Sequence, residues 1–175
     1  MTKIKLGKVA GLELSARPSA IVGFVLLWVL LGGVAALLLK VPLGEAIVGG
    51  FIAVVLHYVS EIVHNLGHAW AARRTGYPMI GVRLFGVLGV SLYPQDEPPL
   101  PADVHIRRAL GGPAASLLLT LVAAVITLVL RPARGTPWLV AAFCFLENLL
   151  VFTLGAFLPL GFTDGSTLLE WWGKR

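Results

Sequence analysis

His57, Glu61, His64 and His68 lie in one apolar stretch at a spacing that gathers them on one face of a helix. Successive helical residues turn by about 100°, so the four fall within roughly a 60° arc, with Asn65 just beside it. Polar groups in an apolar run call for partners or a ligand, because burying them unpaired is costly. His64 and His68, at i and i+4, point the same way and can grip one zinc ion. Two histidines alone hold zinc weakly, so a third ligand is needed. Asp164, in Leu158-Pro159-Leu160-Gly161-Phe162-Thr163-Asp164-Gly165, is the best candidate, with Gly165 letting the backbone turn tightly beside the carboxylate. His57 and Glu61 read as a buried i,i+4 pair, or as support for His64, rather than as ligands.

The elements that must position these groups are membrane spans. Of 175 residues, 57% are hydrophobic and 13% charged, and the mean hydropathy is +0.86. A soluble domain carries about 25% charge. The chain therefore reads as an all-α integral membrane protein of one domain, residues 1–175, with a small β element at the membrane surface. Four spans are expected, at about 19–39, 45–72, 106–130 and 137–158, and the histidine stripe falls on the second. Residues 1–17 alternate as two short surface strands. Residues 80–93 are too short to cross as a helix and read as one or two strands or a re-entrant element. The proline-rich stretch 94–101 is an exposed, stiff loop able to cover or gate what lies beside it. Residues 159–165 form a loop carrying Asp164, and 166–172 a short interfacial helix with two tryptophans.

Glu147 and Asn148 fall near the middle of the fourth span. A carboxylate at that depth has a functional role by default, although a hydrogen bond to Asn148 or to the His57–Glu61 pair explains it equally well. The small residues at 111–116 read as a helix-packing face. His105 reads as a loop-end residue.

Eleven of the Lys and Arg residues flank the spans on one side and three on the other, which puts both termini in the cytoplasm. The net charge of +5 does not signal nucleic acid, because these cations lie in the loops between apolar runs. The single cysteine, Cys144, excludes an intramolecular disulfide and a C-x-x-C site. The first apolar run starts late and is long enough to span, so it is not read as a cleavable signal peptide. With no internal repeat, a transporter is disfavoured.

The chain resembles the site-2 protease family of intramembrane zinc metalloproteases. His64-Asn65-Leu66-Gly67-His68 matches the family's H-E-x-G-H, Pro159 followed by Asp164-Gly165 matches N-x-x-P…D-G, and Gly112-Pro113-Ala114-Ala115-Ser116 matches G-P-x-x-N. The three motifs stand in the right order on the right spans, and the resemblance covers nearly the whole chain. It implies a multi-pass protein of a prokaryotic cell membrane. It also implies zinc held by His64, His68 and Asp164, a membrane-spanning protein as substrate or partner, and substrate contact at position 116.

The departures matter as much. Asn65 stands where the family has its general-base glutamate, and Ser116 and Ala156 stand where it has asparagines that are thought to contact substrate. A neutral amide accepts no proton at neutral pH, and loss of acid–base assistance typically costs about 10²–10⁴-fold in rate. Zinc binding is thus expected to persist while hydrolysis is weak or absent, unless a carboxylate such as Glu61 has taken over. The alternative is a non-catalytic pseudoprotease that holds zinc and binds a membrane segment. Departures at three positions favour a natural variant over one engineered inactivation.

Overall fold

In the computed structural model, which describes residues 3–174, four helical segments are long and apolar enough to cross a membrane. Met1, Thr2 and Arg175, the last counted in the charge asymmetry, lie outside the described residues. Strands β1 (Ile4–Val9) and β2 (Leu12–Ala16) precede α1 (Pro18–Leu37). Pro18 starts α1 where its missing N–H is no loss. Only Ala20 and Gly23 of α1 are buried, and its Val and Leu side chains face outward, as suits lipid. α2 (Leu43–Arg74) has 32 residues and buries the polar stripe. It ends at Arg73-Arg74, with the Arg74 guanidinium 4.2 Å from the Trp70 ring. β3 (Gly81–Phe85) and β4 (Leu88–Leu92) follow, then α3 (Ala102–Leu130).

The fourth span departs from a regular helix. α4 (Gly135–Glu147) passes into a π-helical turn over Asn148–Leu154 and a 3₁₀ turn over Gly155–Phe157. π turns widen the backbone locally and occur often at functional sites. The last helix, α5 (Asp164–Trp172), begins at Asp164 itself, so the carboxylate sits on a first helical turn and not in the loop expected before it.

The two expected β regions join into one sheet of order β1-β2-β3-β4. β1–β2 and β3–β4 pair antiparallel, while β2–β3 pairs parallel with Ser15 opposite Arg83. Parallel neighbours need a long crossover, and here α1 and α2 supply it. Helix packing then fixes the site. α2 and α3 cross at bare backbone: a Cβ on Gly67 would stand 2.2 Å from Gly111 O, and one on Gly111 would stand 2.4 Å from Gly67 O. Only glycine permits this approach, and it places α3 directly beside the histidines.

Candidate metal centre

His64, His68 and Asp164 converge. His64 Nε2 and His68 Nε2 are 3.1 Å apart, and Asp164 reaches them with Oδ2 at 3.3 Å and Oδ1 at 3.4 Å. Each imidazole is held through its other nitrogen. His64 Nδ1 lies 2.9 Å from Ser116 Oγ, and His68 Nδ1 lies 2.8 Å from the Arg108 carbonyl. Donation from His68 Nδ1–H to the carbonyl leaves its Nε2 lone pair facing Asp164, the tautomer a metal needs, and the Ser116 hydroxyl can accept from His64 Nδ1–H in the same way. The Gly112 N–H also approaches His68 Nδ1 at 3.2 Å, but the shorter carbonyl contact decides the tautomer.

The donor set fits zinc. Ligand atoms around a tetrahedral zinc with bonds of about 2.0–2.1 Å stand about 3.3 Å apart; the two imidazole nitrogens stand 3.1 Å apart, and Asp164 turns one carboxylate oxygen toward each of them, at 3.3 and 3.4 Å. Two bare nitrogens and a carboxylate at such distances repel one another unless a cation lies among them. The space is also kept open. A Cβ on Gly112 would fall 2.5 Å from His64 Nε2 and 2.3 Å from His68 Nε2. The cluster read from sequence as helix packing thus includes, at Gly112, a residue that clears the centre. Gly165 acts differently from its expected turn role. Its φ is not positive, and a Cβ there would meet Phe157 O at 2.1 Å, so it lets the first turn of α5 seat against the 3₁₀ turn. Asp164 is positioned by that seating. His105, read as a loop-end residue, stacks on Trp171 at 4.1 Å and ties α5 to α3.

Ser116, a substrate contact by resemblance, is 0% exposed and engaged by His64, so in this conformation it offers no surface to a substrate. Asn65 is 2% exposed. Its Oδ1 accepts from Ser91 Oγ at 2.9 Å, and its Nδ2 donates to Glu61 O at 2.9 Å. Glu61 Oε2 accepts from Gly89 N–H at 2.8 Å. The expected His57–Glu61 pairing gives way to other partners. His57 bonds to Glu147 Oε1 and to Val87 O, each at 2.7 Å, and Tyr58 O–H donates to Gly86 O at 2.6 Å. One face of α2 therefore grips the β3–β4 hairpin along its length, through His57, Tyr58, Glu61 and Asn65. These hairpin partners escaped the sequence reading, because period-2 patterning says which face a strand residue takes and not which helix it meets.

The loop 94–101 is tied down. The Arg108 guanidinium donates to both carboxylate oxygens of Glu97 and to Tyr77 O, and it lies 4.1 Å from the Tyr93 ring. Burial pushes the Tyr93 phenol up to about 12. The hydrogen bonds from Arg108 hold the Glu97 carboxyl below its usual 4.5. A depressed folded-state value means the clasp contributes fully above pH 4.5 and is lost as pH falls through the folded value. Proteolysis within 94–101 is expected to be slow at neutral pH and to accelerate as the pH is taken below 4.5 and through the depressed value of Glu97, and Glu97→Gln should be cut quickly throughout.

The protein is a multi-pass membrane protein, with four helical segments long and apolar enough to cross a bilayer and a small four-stranded sheet. Among solved structures it is similar to the site-2 protease from Methanocaldococcus jannaschii. The TM-score is 0.62 and the identity 18%, over 97% of this chain and 70% of that one. At this identity the likeness concerns the fold alone. No family model matches the chain, and no curated protein matches it.

Proposed function

We propose that this chain holds one zinc ion on His64, His68 and Asp164, engages a membrane-spanning polypeptide within the bilayer, and hydrolyses it feebly or not at all. Support for zinc is the spacing of the three ligand groups and the clearance at Gly112. When bound, zinc supplies Lewis-acid polarisation of a carbonyl.

The observation that carries the rest is Asn65. Its carboxamide takes no proton, and both its ends are committed, to Ser91 and to the Glu61 carbonyl. The Glu61 carboxylate is engaged by the Gly89 N–H. Neither group has the freedom of a general base, which favours the binding form over the hydrolytic one. The Arg108 carbonyl, which only accepts, holds His68 in the ligating tautomer whether or not hydrolysis follows.

Metal analysis of the purified chain together with a cleavage assay on a model transmembrane substrate tests this reading. The expected result is stoichiometric zinc with negligible cleavage, and a zinc-free protein would sink it.

The charge asymmetry further supports an orientation with both termini in the cytoplasm. Membrane-impermeant thiol labelling of Lys8→Cys and Gly173→Cys should then succeed only from the cytoplasmic side, and labelling of Lys40→Cys only from the other. Labelling of the first two from opposite sides would refute the arrangement.

A further inference from the structure

His57 lies about 10 Å deeper along α2 than His64, by the 1.5 Å rise per residue. Its Nε2 is 2.7 Å from the Val87 carbonyl and its Nδ1 is 2.7 Å from Glu147 Oε1. A carbonyl only accepts, so Nε2 must carry a proton. The Nδ1–Oε1 contact needs a second, on one atom or the other. The His57–Glu147 contact thus holds two protons, whereas a neutral histidine beside an ionised glutamate holds one. In that poorer state the carboxylate draws the remaining proton to Nδ1, and a bare Nε2 lone pair faces the Val87 oxygen.

Among the described residues, nothing nearby substitutes for the missing proton. Glu147 Oε2 and Asn148 Oδ1 are buried without a hydrogen-bond partner. The titratable groups facing the pair are Glu61 and Tyr58 on α2 and Cys144 on α4, none of them a cation. Phe152, from the π turn, packs 5.8 Å from His57 and 5.9 Å from His64 and stands between the pair and the metal ligands.

Val87 belongs to the turn that joins β3 to β4, and β4 carries the groups bonded to Glu61 and Asn65. We propose that His57 and Glu147 form a proton-dependent latch, closed with two protons, that fixes this turn to α2 and opens when one proton leaves, freeing β4 from the Asn65 position.

Amide hydrogen exchange of the full chain in lipid nanodiscs, followed over an alkaline pH series and corrected for intrinsic exchange, tests the latch. Wild-type protection over residues 86–92 should fall about tenfold per pH unit once the pair loses its proton, while α1 stays protected. Glu147→Gln keeps the shape, and its amide can donate to Nδ1 while Nε2–H stays on Val87. Its protection should not change with pH. His57→Phe should lack protection in this segment throughout. The proposal is overturned if the wild-type profile is flat, if Glu147→Gln titrates like wild type, or if α1 loses protection in parallel.

Discussion

Gly112→Ala is expected to lower zinc affinity by about 10–100-fold, the range for disturbed ligand orientation. The added carbon would stand 2.3–2.5 Å from both Nε2 atoms, where only a ligated ion belongs. Gly112 cannot retreat, because its neighbour Gly111 is already against the α2 backbone at Gly67. The imidazoles must swing instead, and swinging breaks the contacts of Nδ1 with Ser116 and with the Arg108 carbonyl. Gly33→Ala serves as the control, since a Cβ there meets nothing within 4 Å. Metal content by mass spectrometry should fall in the first variant and stay unchanged in the second. Full zinc in Gly112→Ala would mean that the metal, if held, is not held between these imidazoles.

Asn65→Glu is expected to raise cleavage of a model transmembrane substrate by about 10²–10⁴-fold, the usual worth of acid–base assistance. The residue facing position 65 is Gly89, which brings no side chain of its own. A Cβ on Gly89 would be 2.8 Å from both Asn65 Nδ2 and Glu61 Oε2. Gly89→Ala placed on top of Asn65→Glu should therefore cancel the gain. Glu61→Gln in the wild-type background should change little, since that carboxylate is tied to the hairpin. Robust wild-type cleavage that disappears in Glu61→Gln would overturn this account and make Glu61 the base.

The spans were legible because lipid demands long apolar runs with internally satisfied backbone, a signal that composition carries directly. His64 and His68 were legible because i,i+4 spacing fixes a shared face, and Asp164 stood out through the motif around Pro159. What the sequence did not carry was whatever depends on the meeting of distant elements. The π turn after Glu147 has no periodicity of its own. Glu147 was marked by the cost of burying it, and His57 appeared only as one member of a possible partner pair. Gly112 has the sequence signature of any small packing residue, and only the two imidazoles packed on it give it another role. The merger of β2 with β3 was hidden because α1 and α2 lie between them in the chain.

That merger also constrains how the protein is made. β2 precedes the first span and β3 follows the second, so their hydrogen bonds can form only when α1 and α2 have both crossed and their outer ends have returned to one side. A nascent chain that inserts α2 and leaves α1 behind presents β3 as an unpaired edge, the kind of surface that recruits other chains or quality-control machinery. The short parallel ladder thus reports correct insertion of the first two spans, and it does so before α3 is in place to complete the floor beneath the histidines.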